Sequence, residues 1–567
     1  MNNPRTLLVV ALLALAYLLF LAWQEDYGAH PAPTTSPAAA TAPASTAGEK
    51  ANSGASTVPA AELPTPPKPP AVPNGASESP GQEITVTTDV LRVTIDSRGG
   101  SIVRADLLAY PQHSGKGSPP FRLLDNTPAA FFEAQSGLVS NTGSAPDHRA
   151  MFTAERTTYS LAPGAGSVDV PLTWTGPDGL AVTRHLIFHR GSYVIDQRQV
   201  IENRGTTPWA GNAYRQLQRV PPVIETGGLK GYANTDRYSF SGAAWYSAAD
   251  KFQKLKYDKF TSDPLSESFS GGWAAMLQHY FFAAWIPPAK ETDSYSTDTV
   301  DAGGTRRYLI RAMSPVLTIA PGAQAETTAR LYIGPKLQGT LDSVAPGLAL
   351  TADYGIFTVI AEPLHWILSQ FHKLTGNWGF AIILLVLLIK AVFFKLSEAQ
   401  YRSMARMRKL QPRIAALKER FGDDRQKMNQ AMMELYKTEK VNPLGGCLPM
   451  LVQIPVFFAL YWVLIESVEL RQAPFIGWIH DLTAPDPYYV LPILNAAIMF
   501  VSQHLTPTSG MDPMQARMMK IMPIAFSIIF IFFPAGLVLY YVANGGLSLL
   551  QQWIITRRVE AGERKAG

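Results

Sequence analysis

Hydrophobic and polar positions change their rhythm several times along this chain of 567 residues. Leu7 to Trp23 is an almost unbroken apolar run behind Arg5. It exceeds the roughly 7–15 residues of a signal-peptide core, and bulky Phe20, Leu21 and Trp23 stand where cleavage wants small residues. A retained signal anchor over residues 1–27 is the better reading; cleavage within the Ala-rich stretch after Pro37 is the alternative. Residues 28–82 are dominated by Pro, Ala, Ser, Thr and Gly, too few apolar groups to offset ordering entropy, so a disordered tether is expected.

From Glu83 the pattern alternates. Ile84–Ile95 reads as strand, Asp96-Ser-Arg-Gly-Gly100 as a turn, and Ser101–Leu107 as strand again. Similar segments recur at Leu180–His189, Ser192–Glu202, Phe281–Ile286, Arg307–Ala312 and Ala325–Ile333. With few helical periods between them, residues 83–335 predict one antiparallel β domain, a sandwich. Residues 336–374 then turn helical: Ile356, Ile360, Leu364, Leu368 and Phe371 recur at helical spacing from Tyr354 to Lys373, with Pro363 a kink or restart. A helix lying on a membrane surface and a helix buried against the β domain both fit this stripe.

Residues 375–567 are dominated by apolar runs. Trp378–Leu396 is about long enough to cross a bilayer, since a crossing takes roughly 20 residues. Further runs fall at Leu448–Ile465, Tyr488–Val501 and Met518–Ile555. As one helix the last run would approach 60 Å, about twice the hydrocarbon core. Pro534-Ala-Gly536 near its middle predicts two short spans joined by a tight turn.

Charge orients these runs. The net charge of +5 says little, but its distribution says more. Arg517 and Lys520 precede the last run, and Arg557, Arg558, Arg564 and Lys565 follow its end. Both ends are therefore expected in the cytoplasm by the positive-inside rule. Residues 398–445 form the most basic stretch, from Arg402 through Arg413 and Arg425 to Lys440. Met404, Met407, Leu410, Ile414 and Leu417 make one apolar stripe in it, and Met428, Met432 and Leu435 make another across Phe421-Gly-Asp-Asp424. An antiparallel helical hairpin in the cytoplasm is expected, either docking partners or only enforcing topology. The β domain then lies on the opposite side.

The most informative chemistry is Lys390, alone in the apolar run Gly379–Phe394. A charge at mid-membrane costs roughly 2.5–3.5 kcal/mol on insertion scales, so it marks a functional site unless it snorkels toward Lys395 and Glu398. Gln453, Asn495, Ser527, Asn544, Gln551 and Gln552 are further polar groups within the runs. Together they suit either a hydrophilic recess floored by Lys390 or simple interhelical hydrogen bonding, which is preferred for Asn495 and Ser527. The single cysteine, Cys447, rules out an intrachain disulfide and a cysteine-based zinc site. P-loop, HExxH and Gly-x-Ser-x-Gly patterns are absent, which argues against an ATP-driven pump and an intramembrane metalloprotease. No metal, cofactor or catalytic residue is expected.

Gly376-Asn-Trp-Gly-Phe380, Lys440-Val-Asn-Pro-Leu-Gly-Gly-Cys-Leu-Pro449, Val468-Glu-Leu-Arg-Gln-Ala-Pro474, Asp486-Pro-Tyr-Tyr-Val-Leu-Pro492 and Phe533-Pro-Ala-Gly-Leu-Val-Leu-Tyr-Tyr541 occur in that order. With the anchor, tether and β domain, they make the chain resemble the YidC membrane-protein insertases of Gram-negative bacteria. The resemblance implies an integral membrane protein with an N-terminal anchor. It implies a periplasmic β-supersandwich similar to sugar-mutarotase folds, without implied activity, and an α-helical core of five spans. It further implies insertion of nascent membrane-protein clients into the inner membrane, alone or beside the Sec translocon and with ribosomes as partners, without direct reading of nucleic acid. Lys390 occupies the position of the family's groove cation, usually Arg. Gln453 matches a polar groove position, Phe457 an apolar contact position, and Tyr540 and Tyr541 aromatic positions on the last span. Val386 stands where the family can carry a polar residue, and the short, mildly basic tail argues against strong ribosome attachment through it.

An insertase rather than an enzyme is the reading these residues support. The rivals are a secondary transporter of an anionic substrate using Lys390, which would want inverted repeats that are not visible, and an envelope binding protein acting through its β domain.

Overall fold

The computed structural model describes residues 81–224, 234–422, 424–439, 448–505 and 527–564. The expected anchor, nearly all of the tether, Cys447, Lys440–Gly446, Arg517, Lys520 and Lys565 lie outside the described residues.

Among the described residues, two large sheets build the N-terminal half, one of eleven strands and one of nine. The predicted strand Ile84–Ile95 is two strands, Glu83–Thr87 and Leu91–Asp96, paired antiparallel with Val86 opposite Val93. Thr88 makes the turn by accepting from the amide of Leu91. Pairing among the described strands is antiparallel except where Glu83–Thr87 runs parallel to Thr158–Ser160. The sheets share a core: Ile84, Val93, Leu217 and Ile310 from one meet Val182, Phe188, Ile195 and Leu331 from the other. A helix, α1 (Gln338–Val344), and the turn after it lay Leu341 and Leu348 on the far face of the nine-stranded sheet, against Trp273, Phe282 and Tyr332. That sheet is consequently apolar on both faces, so Trp273–Leu277 and Phe281–Ile286 are buried at every position and show no alternation. Periodicity could not flag Trp273–Leu277 for this reason. Phe132–Ser140 and Trp209–Arg219, also unpredicted, are buried on both faces along nearly their whole length.

The C-terminal half is helical. After α2 (Thr358–Thr375) come α3 (Trp378–Val392), α4 (Phe394–Lys409), α5 (Gln411–Phe421), α6 (Arg425–Thr438), α7 (Leu448–Glu466), α8 (Val490–Leu505) and α9 (Ala535–Arg564). Helix α2 runs on through Pro363. It packs on α3 and α7, not on the β domain, burying Leu364 and Leu368 while Val359, Trp366 and Leu374 face outward. Ile382, Leu385, Val386 and Ile389 of α3 pack with Leu460 and Val463 of α7 and Leu537 and Val538 of α9.

Two sequence expectations change. The run Trp378–Leu396 is not one helix: α3 ends at Val392, and α4 leaves it at 69°. At 1.5 Å per residue α3 is only about 22 Å long. Among the described residues no single helix is long and apolar enough to cross a membrane, although α3 and α4 together pass on length and composition. The first arm of the basic hairpin also breaks, at Leu410, so that α4 turns into α5 before the chain returns as α6. Leu410 and Ile414 seal this pair against Met432, Leu435 and Tyr436, and Arg413 pairs with Glu439 across it. The last run, by contrast, is interrupted where proline predicted: a short 3₁₀ turn Phe530–Phe532 and an extended Phe533 precede α9. The next helix outruns Ile555 to Arg564.

Candidate functional site

Short polar and glycine motifs fix where the helices meet. Gly376 ends α2 in a left-handed conformation. Asn377 caps α3 by accepting from the amides of Gly379 and Phe380, and donates to the carbonyl of Phe475 at 2.9 Å. Gly379 is required there, because a Cβ would lie 2.0 Å from the Phe475 ring. Asp486 is buried and accepts from the Trp478 indole at 2.9 Å and from the amides of Tyr488 and Leu491, which starts α8. The amides of Ala535 and Gly536 donate to the carbonyls of Ala484 and Leu482, both at 2.8 Å, which starts α9 against the same loop. Three of the sequence motifs are therefore corners that hold α3, α8 and α9 together.

Deeper along these helices lies a polar cluster. Lys390, 8% exposed, sits in the last turn of α3. Its ammonium donates to Ser548 Oγ at 2.7 Å, and Ser548 donates onward to the carbonyl of Asn544, one turn earlier on α9. Gln453 on α7 reaches Asn544 Oδ1 at 3.5 Å, a long contact, and also bonds the Tyr540 hydroxyl. Tyr401 of α4 shares Ser548. Among the described residues no carboxylate forms an ion pair with Lys390.

An aromatic group adjoins it. Phe457 lies 6.1 Å from Tyr540 and 5.3 Å from Tyr541, centroid to centroid, and Tyr541 meets Phe530 edge-on at 4.5 Å. Lys390, Gln453, Phe457, Tyr540 and Tyr541, singled out in the sequence, thus fall on three helices that converge on one another. Val386 is fully buried in the apolar core. Ser527 reaches the Met499 sulfur of α8 at 3.8 Å, an interhelical contact as expected, whereas Asn495 contacts the same sulfur at 3.6 Å from within α8 itself, not across helices. Ser548 was missed. Its only signal was its place one helical turn after Asn544, and serine in a helix is too common to stand out. Among the described residues no group of His, Cys, Asp and Glu could hold a metal ion.

The β domain carries an open cleft of about 380 Å³ lined by Asp196, Arg198, Gly272 and Arg330. Asp196 is engaged by His189 and Arg198 by Glu326, so these two of its charged lining residues are paired internally.

Residues 83–367 match the family model of the YidC periplasmic domain, and residues 370–563 that of the 60Kd inner membrane protein. The membrane protein insertase YidC of Stenotrophomonas maltophilia (strain R551-3) is 47% identical over 570 aligned positions, covering 98% of this chain and 97% of that protein. The membrane protein insertase YidC of Nitrosococcus oceani is 48% identical over 564, covering 99% of each. Among solved structures, the active YidC insertase with its first transmembrane domain resolved aligns at 17% identity and a TM-score of 0.36. It covers 85% of this chain and 94% of that one.

Proposed function

The chain belongs to the YidC family of membrane-protein insertases, and from that premise we propose that the Lys390 cluster is where a client segment is received. The carrying observation is a buried ammonium whose partner is a neutral hydroxyl, with no paired carboxylate among the described residues. A Lys held this way keeps its positive potential for an incoming group. Opposite charges at about 4 Å attract by about 4 kcal/mol at an effective dielectric near 20. That is comparable to the roughly 2.5–3.5 kcal/mol cost of bringing a client carboxylate to membrane depth.

In this reading the client enters from the cytoplasm with a short polar or acidic flank beside Lys390, Ser548 and Gln453. Its apolar part lies along Phe457, Tyr540 and Tyr541 and leaves into lipid, driven by transfer at roughly 25 cal/mol per Å². Lys keeps the charge of the family's usual Arg but lacks the planar fork, so the carboxylate is attracted without bidentate pairing. Insertion needs no covalent step and no cofactor. The topology that goes with it has both termini and the α5–α6 hairpin in the cytoplasm, the β domain in the periplasm, and α9 as the returning span. The Sec translocon and ribosomes are partners in that scheme.

The test is insertion of a client with an acidic translocated flank, at matched insertase levels. Lys390→Arg retains it, Lys390→Ala lowers it several-fold and Lys390→Glu lowers it about tenfold or more. Equal insertion by all three overturns the reading.

A further inference from the structure

At the far end of α7 the chain enters a buried polar joint with the β domain. Glu466, the last residue of α7, and Lys336, just after the last strand of the β domain, are each 1% exposed and lie 3.6 Å apart. Ser239 donates to the same Glu466 carboxylate at 3.2 Å. His279, buried in the β domain, bonds the carbonyl of Ile465 at 3.0 Å with one ring nitrogen and Asp236 at 2.7 Å with the other. Val468 lies within the β-domain core itself. Arg471 then donates to the carbonyls of Pro111 and Gln112, at 2.8 and 3.1 Å, and stacks on Phe121 and Phe281. Residues 465–472 are thus gripped by four β-domain segments remote from them in sequence.

Two domains joined through one chain crossing move relative to each other by default unless their interface is large and apolar. Apart from Val468, the contacts of this interface are mainly polar, and a buried ion pair adds little net stability, because desolvation cancels most of the attraction. Burial pulls the Lys336 ammonium down from its usual range and the Glu466 carboxylate pushes it back up. What such a pair does is penalise every other docking geometry, since separating the partners strands a buried charge.

We infer that Lys336 and Glu466 form a lock that fixes the β domain on the end of α7, so that the β domain is a brace for the helix carrying Gln453 and Phe457, not a freely tethered appendage. The lock is independent of how clients use the groove. It specifies the docking angle, and Arg471 and His279 add contacts that only that angle allows.

The test uses the full chain in membranes with Cys447→Ser, and Ser114→Cys and Asp481→Cys as the gauge. These two side chains meet at 3.2 Å across the joint, and their disulfide formation under mild oxidant reports docking. Glu466→Gln and Lys336→Met each slow disulfide formation at least fivefold, because each leaves one buried charge alone. Pairing them in one chain, or swapping the charges as Lys336→Glu with Glu466→Lys, restores the rate to within about twofold. Unchanged rates in both single variants overturn the lock. If the single variants fail to accumulate, the charge swap decides alone: a slow swap overturns the lock, and a wild-type rate upholds it.

Discussion

The two halves of this molecule obey the same hydrophobic rule against different surroundings. In the β domain the large apolar side chains turn inward between the sheets, and only scattered ones such as Met151, Val223 and Val316 are exposed. Helices α2, α3 and α8 bury one apolar face and present another, with Val359, Trp366, Leu387, Leu388, Val392 and Phe500 pointing out. Exposed apolar patches on this scale mark a surface that water does not cover. Polar groups show the converse. The β domain buries Arg184 among Gln199 and two backbone carbonyls, so the charge is widely solvated by protein. The helical unit buries Lys390 against a single hydroxyl. The well-partnered charge serves the fold, whereas the sparsely partnered Lys390 is the one that the proposed function offers to a client.

Paired substitutions break or sharpen that contrast. Leu388 is 38% exposed on α3 and Val316 is 57% exposed on the β domain. Leu388→Asp should cost about 3 kcal/mol as a charge facing lipid, while Val316→Asp should stay within about 0.5 kcal/mol as a surface change in water. Thermal stability of the full chain in lipid nanodiscs reads both. Equal small losses would show that the outer face of α3 meets water.

A smaller effect tests the β domain alone. Burial pushes the Glu133 carboxyl up to about 7, opposed by the hydrogen bond from Gln135 and by nearby Arg307. A carboxyl whose folded pKa is raised holds its proton more tightly when folded. Its contribution is full below the unfolded value near 4.3 and is lost as pH rises through about 7. The unfolding midpoint of the β domain should therefore fall by on the order of a few degrees between pH 5 and 8. Glu133→Gln should flatten part of that slope, leaving the share of Asp293, which burial also raises to about 7 against the opposing charge of Arg215. An unaltered slope in Glu133→Gln would locate the titration elsewhere.

The smallest effect concerns the basic hairpin. Its seam is confined to Leu410 and Ile414 against a few partners, so it is a minor folding unit beside the main helical core. Shortening α5 and α6 symmetrically about Gly422 should reduce client crosslinking about twofold and leave the helical core's unfolding unchanged. Unchanged crosslinking would leave topology as the hairpin's sufficient role.

Sequence pattern by itself determined the division into a β half and an apolar helical half. It also located strands such as Leu180–His189 that are apolar toward the core and more polar on the other side, the break before Pro534, and the isolation of Lys390. Each of these is a local property, because side-chain period and backbone chemistry are set by near neighbours in the chain. Strands buried on both faces lost their period, and α3 ended earlier than its apolar run, since composition measures what a helix tolerates and not where packing bends it. Only the tertiary structure decided that Ser548 faces Lys390, that Gly379 is required by a ring nearly a hundred residues away, and that Glu466 closes on Lys336. Those outcomes rest on contacts between segments far apart in sequence, and no periodicity carries the address of a distant partner.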